Sequence, residues 1–232
     1  MLVARRGERL QQLATELQTR HDIEHVVIAL DLSTPEAARI LYQDLELHGL
    51  TIDILVNNAG FGRNDDFTAI PMAEHVEMMQ LNMVTLVQLT HLILPQMIAR
   101  RRGTIVNVGS TASFQPGPYS TVYFATKAFV LSFSEGLSQE VREHGVTVTC
   151  LCPGPTRTDF GARSRMDQNW NFIHGSMSTD AVCDVAYRGL RRRKRIIVPG
   201  ILNWILAFSV RFTPRFLILQ LMQQWQRPRK AP

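Results

Sequence analysis

The chain has 232 residues, 45% apolar and 19% charged, with a formal net charge of +5. That length and composition support one domain with a sizeable core and exclude a disordered or collagen-like chain. Three cysteines are too few for a disulfide framework and point to a reducing compartment, the cytoplasm.

In chain order, Leu2 to Ala4 reads as the stub of a strand, and residues 7–19 carry a helical period with Leu10, Leu13 and Leu17 on one side. Residues 25–30 form a strand closing at Asp31, and Thr34-Pro35-Glu36 opens a helix with threonine as cap and proline in the first turn. IDILVNNAG (52–60) is an apolar strand running into Asn57-Asn58-Ala59-Gly60. Residues 71–102 make one long helical pattern, with a kink, that contains Asn82. The β-branched run 104–108 reads as a buried strand closed by Gly109-Ser110. Tyr123 and Lys127 follow on a helix, and VTVTCLC is a strand ending in Pro153-Gly154. A long loop comes next, of the kind that often serves as a lid. Ser178 then starts a helix, and residues 196–199 are the last strand.

Strands alternating with helices predict an α/β fold, a doubly wound parallel sheet flanked by helices. Pro and Gly are scattered, so residues 1–200 read as one domain and 201–232 as its C-terminal helical extension. Cys150 and Cys152 alternate along a strand and share a face, which makes them core or pocket lining and not a metal pair. The seven histidines lack metal-ligand spacing and read as surface or capping residues; no metal site is expected.

From residue 185 onward there are eleven Lys or Arg and no Asp or Glu. The apolar run 196–210 is broken by Pro199-Gly200 and is too short to span a bilayer. Arg5, Arg6 and Glu8 interrupt any signal-peptide core. The tail reads as amphipathic helices that complete the core or a subunit contact. Its flanking basic residues also suit peripheral contact with a membrane. No nucleic-acid recognition motif accompanies it.

Tyr123 and Lys127 stand one helical turn apart, so the phenol and the ammonium can act on one substrate. A nearby cation favours a phenolate, which predicts a tyrosine poised near neutrality as proton donor and acceptor. In open α/β sheets the working groups lie beyond the carboxyl ends of the strands, where Ser110 falls.

NNAG, the strand-end serine, YFATK and PGPTRT, in this order and spacing, resemble the short-chain dehydrogenase/reductase family over nearly the whole chain. The resemblance implies a Rossmann-type fold and hydride transfer between NAD(P)(H) and a carbonyl or secondary alcohol. It makes Tyr123 the proton-exchanging residue and has Ser110 hydrogen-bond the substrate oxygen. Lys127 would bind the nicotinamide ribose and lower the tyrosine's proton affinity, and Asn82 would hold a water that links the lysine to solvent. Asn58, Ala59 and Gly60 would edge the adenosine ribose, and Asp31 would meet the adenine amino group. Pro153, Gly154, Thr156 and Thr158 would form the turn facing the nicotinamide. Arg5 and Arg6, directly after the second strand, sit where a 2′-phosphate would lie and favour NADP over NAD. Met1 to Arg6 matches the family's second strand, so the first strand and its glycine-rich pyrophosphate turn are expected to be missing, through a late start site or a shortened product.

The lid region (Phe160, Met166, Trp170, Phe172, Ile173, Met177) suggests a lipophilic substrate. A homo-oligomer is expected by analogy with the family. The competing expectation is a non-catalytic binding or membrane-associated protein, because the phosphate-binding turn is absent.

Overall fold

The computed structural model describes residues 1–166 and 175–228. All its strands run parallel, in two groups. β1 (Leu2–Ala4) pairs with β2 (Val27–Ala29). β3 (Ile54–Asn57), β4 (Gly103–Val108), β5 (Val146–Leu151) and β6 (Ile196–Ile197) form a second sheet in that order. Among the described residues β1 and β3 each pair on one side only.

The connections are helical: α1 (Gly7–His21), α2 (Ala37–Leu47), α3 (Met72–Met79), α4 (Thr85–Ala99) and α5 (Thr121–Glu140). The short α6 (Phe160–Ser164) follows, then α7 (Thr179–Arg191), α8 (Ile201–Ser209) and α9 (Arg215–Gln226). Ser178 caps α7 as expected, its Oγ accepting from the Ala181 N–H. At the start of α2 the expectation shifts by two residues. Asp31 accepts from both the N–H and the hydroxyl of Ser33, which holds the chain in a turn, and the helix begins at Ala37.

α3 and α4 are continuous through a π-turn, Gln80–Val84, the irregularity in the long helix. The 28-residue helix Met72–Ala99 is long and apolar enough to cross a membrane, yet it packs on the sheet. Leu45 of α2, Ile93 and Met97 of α4 and Leu137 of α5 close over Ile105 and Val148. Cys150 and Ile196 share that face with Val130 and Leu131, so Ile197 points to the other face, where it meets Gly189 of α7. Helices thus cover both faces, as the doubly wound reading requires.

β3 shows the period of a half-covered strand. Asn57 is buried, whereas Ile54 and Val56 are 61% and 55% exposed. Cys150 and Cys152 are fully buried, with Sγ atoms 3.5 Å apart, and Cys183 is exposed. Among the described residues one histidine is buried, against the surface reading: His75 stacks on Phe67 at 4.9 Å, because α3 presses the ring against the preceding turn.

Candidate active site

Ser110 lies two residues past the end of β4, in extended backbone, and caps a 3-10 turn, Thr111–Phe114. Its Oγ accepts from the Ala112 N–H at 3.1 Å, and its own N–H donates to Ser113 Oγ at 3.2 Å. Those bonds fix the hydroxyl at the sheet's carboxyl edge. Tyr123, in the first turn of α5, has its phenol near enough to the Ser110 hydroxyl for the serine to favour the phenolate. Lys127, one turn on, donates from Nζ to the Val108 carbonyl at 2.7 Å and lies 5.8 Å from the centre of the tyrosine ring.

Asn82 sits within the π-turn and is buried. It accepts from the Phe61 N–H at 3.1 Å and donates to the Phe61 carbonyl at 2.9 Å and to Thr126 Oγ1 at 3.1 Å. It therefore pins the loop after NNAG to the Tyr123 helix. Two glycines permit the approach. A Cβ on Gly60 would come 2.9 Å from Asn82 Oδ1 and 3.6 Å from Lys127 Nζ, and one on Gly62 would come 2.9 Å from the Tyr123 ring. Asn58 and Ala59, on the same loop, are exposed.

The tyrosine is enclosed. Its ring meets Phe124 edge-on at 6.0 Å and Phe160 at 5.6 Å, and Phe61, Met166, Ile218 and Met222 complete one apolar cluster around it. The last two come from α9, whose end is tied down by Asn64, which donates to the Gln226 carbonyl at 2.9 Å and to Ser120 Oγ at 3.0 Å. Burial pushes the Tyr123 phenol up to about 12, against the opposing pull of the Ser110 hydrogen bond. Burial likewise pulls the Lys127 ammonium down to about 8. The expectation of a phenol held near neutrality by its cationic neighbour is therefore corrected. In this enclosed state desolvation outweighs the pull of the Ser110 hydroxyl, and the tyrosine keeps its proton.

The turn after β5 joins the site through Pro153, whose carbonyl accepts from the Thr111 N–H at 2.9 Å. Gly154 abuts the Asn203 side chain. Thr156 Oγ1 donates to the Gly154 carbonyl, and Thr158 Oγ1 accepts from the Phe160 N–H. Met177 pairs with this segment through Pro155 and Arg157. Of the lid residues, Phe160 and Met166 join the Tyr123 wall, whereas Trp170, Phe172 and Ile173 lie outside the described residues.

At the β1 end, Arg5 lies 3.6 Å from both Asp31 and Glu77. Burial alone would raise the Asp31 carboxyl, but the Ser33 hydrogen bonds and the Arg5 charge bring it below its ordinary value. Arg6 and Arg9 both reach Asp159, at 3.5 and 2.7 Å, next to Thr158. The structure thus brings Ser110, Tyr123, Lys127, Asn82, Gly60 and Pro153 into one cluster. Arg5, Arg6 and Asp31 form a second group, joined to the first through Asp159. Arg9, Gly62, Ile218 and Met222 were not singled out from the sequence. Arg9 had a signal, since it stands three residues after Arg6 on the same helix face.

A parallel sheet with a serine at a central strand's carboxyl end, facing a tyrosine and a lysine one turn apart, defines an α/β protein with an oxidoreductase-type site. The sequence profile of the short chain dehydrogenases matches residues 1–169. The chain belongs to that family.

Among its curated relatives, the very-long-chain 3-oxoacyl-CoA reductase-A of Danio rerio is 36% identical over 159 residues, covering 66% of this chain and 49% of the relative. The Bos taurus reductase is 31% identical over 194 residues, covering 78% and 60%. The chain spans about half the length of most of the curated relatives it matches. Among solved structures, a short-chain dehydrogenase of Sphingobium yanoikuyae in complex with NADPH superposes with a TM-score of 0.81 at 29% identity, covering 99% of this chain and 87% of that one. A bulky-bulky ketone specific alcohol dehydrogenase of Comamonas testosteroni gives 0.76 at 27%, covering 99% and 85%.

Proposed function

We propose that the chain catalyses NADP(H)-dependent interconversion of a lipophilic carbonyl and its secondary alcohol, with long 3-oxoacyl thioesters as the leading substrate class. The observation that carries this reading is the Ser110–Tyr123–Lys127 cluster, enclosed by Phe61, Phe124, Phe160, Ile218 and Met222. An apolar wall around a proton donor suits an acyl chain or a bulky ketone, and the names of the relatives point the same way.

The residues fit a phosphate-bearing nucleotide. Arg5, Arg6 and Arg9 hold Asp31, Glu77 and Asp159, carboxylates standing in for an anion, and the buried Lys127 ammonium has a single carbonyl acceptor, Val108. Lys127, Tyr123 and the Pro153–Thr158 turn would hold the nicotinamide riboside, and Arg5 and Arg6 the 2′-phosphate; when bound, NADP(H) supplies or receives the hydride. Ser110 Oγ positions the substrate oxygen. Tyr123 Oη, protonated at neutral pH, delivers its proton to that oxygen during reduction and recovers one during oxidation. The Lys127 charge stabilises the phenolate left behind, and Asn82 holds the loop that fixes Lys127 and Tyr123 against each other.

A second reading, a binding protein with unused catalytic residues, draws on the unpaired edges of β1 and β3, where this family's pyrophosphate turn is expected. Titration with NADPH, followed by nicotinamide fluorescence and then by NADPH oxidation with a 3-oxoacyl thioester, separates the two. Binding with turnover supports the reductase, and no binding at any cofactor concentration favours the second reading.

A further inference from the structure

We propose that α8 and α9 form a docking surface that seats the protein on an anionic lipid bilayer. Only Ala207 of α8 and Ile218 and Met222 of α9 are buried. The remaining apolar side chains of the two helices face outward, among them Leu202, Trp204, Phe208 and Phe216, and so does Phe212 in the turn between them, with Phe212 74% and Leu202 65% exposed. Trp204, Phe208 and Phe212 make a row, the first pair stacked and the second edge-on, with ring centres 5.4 and 5.3 Å apart and Arg211 5.9 Å above the middle ring. So much contiguous exposed apolar surface marks an interaction site.

Charge selects the occupant. Beside this row a groove of about 470 Å³ runs between α7 and α8, rimmed by Arg188, Arg192, Lys194 and Arg211 over an apolar floor that includes Phe114 and Trp204. Among the described residues none of those four cations has an acidic partner, whereas Arg6, Arg9, Arg63 and Arg102 are all paired. Unpaired cations beside exposed aromatics fit a surface that offers phosphates above acyl chains. Pairing of this face with the same face of a second copy fits poorly, because the chain from residue 185 onward has no acidic residue to answer these charges. Helices of 9 and 12 residues are too short to cross, so they lie in the interface. α9 then has its outer face in lipid and its inner face, through Ile218 and Met222, against Tyr123, a short path for a lipophilic substrate. That path rests on the proposed reductase activity; the docking does not.

The test is co-sedimentation of the full chain with phosphatidylcholine vesicles, alone or with about one third phosphatidylglycerol. Wild type is compared with Arg192→Glu/Lys194→Glu and with Phe212→Ser/Phe216→Ser. The expected result is binding to the anionic vesicles only, weakened at least ~10-fold by either double substitution and by raised salt. Circular dichroism should show unchanged folding, since all four side chains are exposed. Equal binding to neutral vesicles, or no binding to either by the wild type, overturns the proposal. So does a dimer seen by light scattering that Phe212→Ser dissociates while vesicle binding is absent. Catalytic turnover is not read, so failure here leaves the reductase reading standing.

Discussion

The β4–β5 ladder and the β1–β2 pair are both parallel two-strand units, yet they are finished differently. β4 and β5 run in register over six residues under α4 and α5, and Ile105, Asn107, Val148 and Thr149 are fully buried. β1 and β2 share three positions, none of them buried, and the α1 beside them leaves Leu13 exposed. The residues proposed for proton transfer gather at the carboxyl end of the first unit, and the arginines proposed to hold the phosphate follow β1 in the second. Precise geometry is thus placed where packing is dense, and charge recognition, which tolerates movement, where it is sparse.

Substituting Tyr123 by Phe removes one hydroxyl from the dense unit and should lower turnover by about 10²–10⁴-fold, the range of general acid–base catalysis, with little change in thermal stability. Retained turnover would mean that the chemistry is not seated there. Asn107 donates to Ser134 Oγ at 2.9 Å and accepts from Asn57 Nδ2 at 2.8 Å, and Asn57 also reaches Thr90. Asn107→Ala strands those partners and should cost about 1–3 kcal/mol in chemical denaturation, whereas exposed positions on β1 should tolerate substitution. Hydrogen exchange sharpens the contrast: amides of residues 2–30 should exchange at least ~10-fold faster than those of β4 and β5, and uniform protection would erase it.

The smallest effect is with pH. Lys127 titrates near 8 in the fold against an ordinary 10.5. Between those values the unfolded chain holds a proton that the native one has lost, so the cost of burying this ammonium is full below pH 8 and fades as pH rises. Carbonyl reduction that uses the ammonium should fall a few-fold across the same window while the Lys127 contribution to stability improves. Activity and melting curves that rise together above pH 8 would count against this role.

The strand and helix order was legible, because period and capping are local properties; the one-turn spacing of Tyr123 and Lys127 and the strand-end place of Ser110 were legible too, whereas Asn82 was picked out only by the family resemblance. The tyrosine's acidity was not legible. It depends on Phe160, Ile218 and Met222, which arrive from distant segments and dry the ring. The Asn57–Asn107–Ser134 chain was hidden for a similar reason: an asparagine in an apolar strand reads the same whether or not a partner waits on the next element. Gly62 gave no signal, since its need appears only once the Tyr123 ring lies against it.

Cys150 on β5 and Cys152 just after it lie fully occluded, beneath Gly109 and beside Lys127, while Cys183 is open to solvent. The polypeptide therefore carries its own stopwatch. An alkylating agent can modify one sulfur at once and the other two only when β5 detaches, so the lag between the two phases times the opening of the layer that carries the candidate site.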